Sequence, residues 1–407
     1  MTWTRRDVLK WTAGAGVGVA LGAPRAFGLP AWLAHGASRS DVERTLVLLE
    51  LTGGNDGLNT VVPFADDDYR RLRPALALTE REVIRLDDRF GFHPNLGALG
   101  DLFKSGNLSV LHGVGYPEPN RSHFRSLDIW HSARPQEALS QTGWIGRAAD
   151  ASQRGDFAIH IGGRDLPLVL TGESSEAQCL EQLSDLTWST GTGSNAARRR
   201  AAIEHALTIP RPANALSERV RVESARALHL SDRVAAGALG DVASDYPGTE
   251  LARKFALAAQ LIASTLAPRA IFITQTGYDT HSRQLGAHAA LLGELSAAIG
   301  AFQRDLTQRK LAEQTLTVIY SEFGRRAAEN ASLGTDHGAA APVLLVSPAL
   351  RGGFVGEFPT LANLDDGDQR YTTDFRSLYA TLLESWLAIR GASISTATDT
   401  PLNLFKT

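Results

Sequence analysis

The chain has 407 residues, 43% of them hydrophobic and 21% charged, a globular composition with ample length for a large core. Net charge is -3 and no long basic run occurs, which argues against nucleic acid as a partner. The single cysteine, Cys179, rules out an intramolecular disulfide. In "SSEAQCLEQL" it has no aromatic or basic neighbour to activate it, so it reads as a packing or surface residue.

The first 37 residues stand apart. Arg5 and Arg6 precede a weakly apolar, Gly/Ala-rich run from Thr12 to Ala23. That run is too short and too rich in glycine for a stable membrane span. It fits a signal sequence, and the paired arginines point to the twin-arginine export machinery. The expectation is a periplasmic or extracellular protein with no stable span in its mature part. The route exports folded proteins, which suits an enzyme whose metal is loaded first.

Seven short apolar runs then read as buried strands: "TLVLLEL" from Thr45, "LSVLHGV" from Leu108, "FAIHIGG" from Phe157, "LPLVLTG" from Leu166, "AIFITQT" from Ala270, "TLTVIYSE" from Thr315 and "PVLLVSP" from Pro342. Between them, "HPNLGALGDLFKSG", "GAHAALLGELSAAIGAFQRDLTQ" and "DFRSLYATLLESWLAI" carry helical spacing. Strands alternating with helices predict one α/β domain over 44–400, with a largely parallel central sheet covered on both faces. From about Ser174 to Ala267 the chain turns Ala/Arg/Ser-rich, which predicts a helical insert.

Polar residues of metal-ligand type follow several of these strands. Asp56 lies in "TGGNDG", Asp279 and His281 in "GYDTH", Ser321 and Glu322 in "SEFGR", and Asp336 and His337 in "GTDHG". Parallel sheets place their sites beyond the strand ends. Carboxylates gathered there repel unless a cation joins them. Asp/His/His suits Zn²⁺ or Mn²⁺, and an all-oxygen set suits Mg²⁺ or Ca²⁺. Taken singly, an Asp-x-His pair is more often a loop pair or a helix cap. In "NRSHFRSLDIWHSA", Ser122 sits at a helix start, where it is either an N-cap or a nucleophile. Arg121 and Arg125 flank it as possible oxyanion clamps. His93 and His112 read as core residues, and Trp130 and Trp144 as packing anchors.

Together "LTGGNDGLN", "NRSHFRSLDIWHSA", "GYDTHSRQ", "SEFGR", "GTDHG" and "YTTDFRSLYATLLESWL" resemble the bacterial domain of unknown function 1501 family, over essentially the whole mature chain. That family in turn looks like the alkaline phosphatase and sulfatase superfamily. The resemblance implies an alkaline phosphatase-like fold and two divalent metals at the strand ends. It also implies hydrolysis of a phosphate or sulfate ester, on a small molecule or a polymer. It places Asp279, His281 and His337 on one metal, with Asp336 as a ligand or as a residue orienting His337. It places Asp56 and Glu322 on the other, Ser122 as nucleophile, and Arg121 and Arg325 against the transferred group. Here the superfamily's Asp-x-x-x-His is Asp-x-His, and Ser-Glu replaces its Asp-His. "RSHF" lacks the cysteine needed for formylglycine. The altered spacing also suits a non-catalytic binding or assembly protein that keeps the fold with at most one metal.

Overall fold

The computed structural model describes residues 43–390 and 401–406, apart from 153, 155–156, 176, 183–184, 186–194, 210–214, 236–244 and 265. The expected twin-arginine segment lies outside the described residues. The strands are β1 (Thr45–Thr52), β2 (Val61–Val62), β3 (Ile84–Arg85), β4 (Gly91–Phe92), β5 (Leu108–Gly115), β6 (Ala158–Ile161), β7 (Gln178–Leu180), β8 (Ala270–Thr276), β9 (Thr315–Tyr320), β10 (Ala341–Val346), β11 (Gly353–Val355) and β12 (Thr373–Asp374). The helices are α1 (Gly57–Thr60), α2 (Asp67–Leu72), α3 (Gly97–Lys104), α4 (His123–Ser132), α5 (Trp144–Ser152), α6 (Ala196–Thr208), α7 (Ala215–Ala235), α8 (Glu250–Ala263), α9 (Gln284–Gln308) and α10 (Phe375–Thr381).

One sheet runs β11-β5-β10-β9-β1-β8-β6-β7, with β12 also on β5. Every pairing is parallel except those of β10 with β9 and β5. The sheet is therefore mostly parallel, with β10 reversed. Along β1, Leu46 and Leu48 face one layer while Val47, Leu49 and Leu51 face the other, and all five are buried. Burial on both faces explains the unbroken apolar run. Leu99 of α3, Phe255 of α8 and Phe302 of α9 pack on one face; Trp130 of α4, Trp144 of α5 and Phe375 of α10 pack on the other. Trp130 stacks on Tyr320 and Phe375, and Trp144 on Tyr379.

Among the described residues one helix, α9, is long and apolar enough to cross a membrane. Leu292, Leu295, Ile299, Phe302 and Leu306 on it are fully buried in the sheet's core. The strand expected at Leu166 is instead a 3-10 turn, Leu168–Leu170, behind Pro167, which has no N–H to give a ladder. Within 174–267, α6 buries none of its residues, whereas Leu251, Phe255, Leu261 and others of α8 belong to the core layer. Because only β10 is reversed, the C-terminal ends of β1, β5, β8 and β9 share an edge with the N-terminal end of β10.

Candidate metal centre

At that edge β1 ends in Gly53 and Gly54, with φ of +119° and +76°. Glycine adopts such angles without a Cβ penalty. A Cβ on Gly53 would lie 2.5 Å from the Asp279 amide nitrogen, and one on Gly54 would overlap the Phe323 ring. The two glycines thus admit neighbouring protein. Their effect is to bring the loop after β8, which carries Asp279, against the end of β1. The Gly53 N–H also donates to Glu322 Oε1 at 2.8 Å, joining β1 to the end of β9.

Three imidazoles gather on Asp279. His337 Nε2 and His281 Nε2 each lie 3.0 Å from Asp279 Oδ1, and 2.9 Å from each other. His123 Nε2 lies 3.5 Å from the same oxygen. Ligand atoms of His123, Asp279 and His337 all fall within 4.8 Å of one another. The Phe323 ring lies against His123 and His337, with centroids 4.9 and 4.7 Å away.

The far nitrogen of each ring is held by an acceptor. His123 Nδ1 is 2.8 Å from Glu322 Oε1, His337 Nδ1 2.8 Å from the Arg121 carbonyl, and His281 Nδ1 3.1 Å from Asp336 Oδ1. A carbonyl only accepts, and so does an ionised carboxylate. Each neutral ring therefore keeps its proton on Nδ1 and presents an Nε2 lone pair to the others and to Asp279. His123 Nε2 is buried and has no hydrogen-bond partner among the described residues. Lone pairs crowded on a carboxylate with no proton between them are the environment that a cation relieves. Histidine pinned at one nitrogen by a carboxylate or carbonyl is the usual support for a metal ligand at the other. Nitrogen-rich donors of this kind fit Zn²⁺ or Mn²⁺ better than Mg²⁺ or Ca²⁺.

A family model described as "Protein of unknown function (DUF1501)" matches residues 43–388. The chain belongs to the DUF1501 family. No curated protein matches it in sequence. Among solved structures, this DUF1501 chain is similar to the C-terminal periplasmic domain of EptC from Escherichia coli, at 12% identity over 87% of this chain and 84% of that one, TM-score 0.39. It is also similar to an alkaline phosphatase superfamily protein from Vibrio parahaemolyticus, at 12% identity over 88% and 70%, TM-score 0.41. A third is the phosphonate monoester hydrolase of Agrobacterium radiobacter, at 11% identity over 84% and 73%, TM-score 0.41.

Within the DUF1501 site, Asp279, His281 and His337 come together as the sequence suggested. Burial pushes the Asp279 carboxyl up, but Arg325, through its hydrogen bond and its charge, together with the contact of His337, overrides it and holds it at about 2. The Asp336 carboxylate meets the ring of His281, not that of His337. Hydrogen bonding from Asn330 holds its carboxyl below the ordinary value, with His281 adding to the effect. Glu322 is not free to be a ligand. It is fully buried, with Oε1 taken by Gly53 and His123 and Oε2 3.0 Å from Ser321 Oγ.

Asp56 departs furthest from expectation. It is fully buried and caps α1, accepting from Leu58 and Asn59 amides at 3.2 and 3.3 Å. Its other oxygen takes Arg73 Nη1 at 2.6 Å and Gln284 Nε2. Desolvation opposes its charge, yet the adjacent Arg73 holds the carboxyl below its usual range. Arg73 thus occupies the side of Asp56 where a cation was expected. Its positive charge is already supplied by protein.

Both arginines assigned to the transferred group are engaged by protein acceptors. Arg121 forks onto Asp368 Oδ2 at 2.9 and 2.5 Å and reaches Asp366 at 3.2 Å. Arg325 is buried and donates to the carbonyls of Gly53, Gly54, Thr335 and Tyr278 and to Asp279. It ties three loops together. Arg125 is spent on Asp128 and on the carbonyls of Pro135 and Ala138. Ser122 is exposed at the α4 N-cap, and its side chain caps no amide.

The ligand set that the resemblance implies does not include His123. The spacing held a signal: His123, Ser126 and Trp130 stand at i, i+3 and i+7, the inward face of α4, and the latter two are buried. Sequence reasoning missed Arg73, seventeen residues from Asp56 with nothing in the spacing to link them.

Proposed function

We propose that this DUF1501 chain is an exported hydrolase of phosphate or sulfate esters that works with one divalent metal held by His123, Asp279, His281 and His337. The observation that supports it is the contact of His281 Nε2 with His337 Nε2 on the Asp279 carboxylate, each ring pinned at Nδ1. A divalent cation there would polarise an ester oxygen and lower the pKa of a bound nucleophile. Zn²⁺ or Mn²⁺ is our choice on donor type.

The chain's own residues do the rest. Glu322, Asp336 and the Arg121 carbonyl hold the three rings in one tautomer. Arg325 fixes Asp279 to the ends of β1 and β9. Ser122, next to His123 with a hydroxyl engaged in no cap, is our proposed nucleophile toward phosphorus or sulfur. The substrate is a small-molecule or polymeric ester, met in the periplasm or outside the cell after twin-arginine export.

A second reading, a non-catalytic exported binding or assembly protein with one structural metal, draws on a specific observation. Arg121, Arg125 and Arg325 are all committed to protein acceptors, so these three offer no free guanidinium to a developing oxyanion. The test is hydrolysis of p-nitrophenyl phosphate, bis(p-nitrophenyl) phosphate and p-nitrophenyl sulfate with added Zn²⁺, Mn²⁺, Mg²⁺ or Ca²⁺. We expect turnover that needs metal and vanishes in Asp279→Ala and His337→Ala. Turnover unchanged in those variants removes the hydrolase reading, and metal binding without turnover favours the second.

A further inference from the structure

Outside the centre, a tight turn at Asp365–Asp368 bonds to the loops that carry two of the histidines. Asp365 and Asp368 exchange both backbone hydrogen bonds, each 2.9 Å. Between them Asp366 and Gly367 have φ of +50° and +84°. An Asp-Gly pair with both φ positive makes the rigid two-residue hairpin turn that this dipeptide favours. A Cβ on Gly367 would lie 2.8 Å from Arg326 Nη1, so the turn sits directly on that guanidinium.

On one side the turn receives Arg121, which precedes His123 by two residues. Asp368 takes the guanidinium fork through one oxygen while its Oδ1 is buried without a partner among the described residues. The residue is 2% exposed. On the other side the turn receives Arg326. Its Nη1 donates to the Asp366 carbonyl at 2.6 Å, and the Ala327 amide donates to the Gly367 carbonyl at 3.1 Å. Arg325 and Arg326 pair with the His337 segment: the Arg326 amide donates to the Asp336 carbonyl at 3.0 Å, and Arg325 bridges His337. The Arg121 carbonyl itself holds His337 Nδ1 at 2.8 Å.

We propose that Arg121 is a positioning residue for the metal centre, acting through its backbone carbonyl on His337 while the Asp365–Asp368 turn clamps its side chain. The inference rests on the metal reading above and adds a control point outside the ligand set. A buried carboxylate that accepts a fork through one oxygen gives a more rigid anchor than a surface ion pair, because the guanidinium is fixed in plane as well as in distance. Without the clamp, the 116–123 loop loses its side-chain tie to the turn. The carbonyl that sets the His337 tautomer is then free to turn away. Asp366 contributes less, since its side chain is 76% exposed and 3.2 Å from Arg121.

The test is Co²⁺ titration of the whole protein, followed by visible absorption and by competition with a chelator. Supporting residues of this kind are worth about 10–100-fold in metal affinity. We expect Arg121→Ala and Asp368→Asn to weaken Co²⁺ binding by at least 10-fold and to alter the visible band. Arg121→Lys should restore little, because lysine cannot reproduce the fork. Asp366→Asn should stay within about 3-fold of wild type, a contrast that general destabilisation of the turn would not give. If Arg121→Ala does not fold, Asp368→Asn carries the comparison. Wild-type affinity and an unchanged band in the folded Arg121 and Asp368 variants would overturn the proposal. Failure of the wild type to bind Co²⁺ would overturn the metal reading beneath it, which keeps the two failures apart.

Discussion

His281 Nε2 lies 2.9 Å from His337 Nε2, and a carboxylate oxygen lies 3.0 Å from both. Two imidazole lone pairs at hydrogen-bond distance have no reason to approach unless a proton or a cation is shared. Because Asp336 and the Arg121 carbonyl occupy the opposite nitrogens, the approach is set by the loops around the site. His123 completes the arrangement from the first turn of α4, held by Glu322.

Glu322 is the first place to probe. Glu322→Gln keeps the side chain's size but removes the carboxylate that fixes the His123 tautomer. We predict metal affinity falling roughly 10–100-fold, with fold and stoichiometry retained. Isothermal titration with Zn²⁺ measures this, and affinity equal to wild type would mean that His123 is not a ligand.

Asp56 gives the opposite pattern. Asp56 and Arg73 are both fully buried. Removing one charge of a buried pair leaves the other uncompensated, at a cost of about 3–5 kcal/mol. Asp56→Ala is therefore predicted to unfold well below the wild-type temperature, and Asp56→Asn less so, while folded protein still binds one metal. Loss of metal from Asp56→Asn at an unchanged melting temperature would restore Asp56 as a ligand.

Ser122→Ala separates chemistry from structure. The side chain is exposed and caps no amide, so stability should change by less than about 0.5 kcal/mol. If Ser122 is the nucleophile, ester turnover falls by roughly 10³-fold or more at unchanged metal content. Turnover near the wild-type rate would assign the attack to a water molecule.

Acid sensitivity has a separate origin. His288 and His112 are buried, and burial pushes each imidazole down to about 4 from the ordinary 6.5. Their folded pKa values are depressed, so the unfolded chain takes up these protons first as pH drops. Stability is full above about 6.5 and is lost between there and about 4, on the order of 3 kcal/mol for each group. Urea unfolding at pH 7, 6 and 5 should trace this decline. His112 Nε2 has no partner among the described residues, so His112→Leu should flatten the curve. An identical slope in that variant would contradict the assignment.

Much of this was legible in the residues. Short unbroken apolar runs made "TLVLLEL" and "AIFITQT" readable as strands of a parallel sheet. The recurrence of Asp and His after strands marked the edge, because Asp279, His281 and His337 follow or precede strands that the sheet brings together. What the sequence hid were partnerships at long range. Arg73 on Asp56, Asp368 on Arg121 and Glu322 on His123 bring together residues 17, 247 and 199 positions apart. Gly53 shows the same limit: nothing in the sequence around it tells that the space beside it is filled by the Asp279 backbone. "LPLVLTG" was misread because Pro167 removes a ladder donor at the point where apolar content suggested a strand.

Metal analysis of the purified protein, after loading with Zn²⁺ or Mn²⁺ and removal of excess, tests the central claim most directly. The account predicts about one equivalent per chain in the wild type and less than about one-tenth in His337→Ala and Asp279→Asn variants that stay folded. A wild-type chain that retains no metal, or variants that retain as much as the wild type, would contradict it.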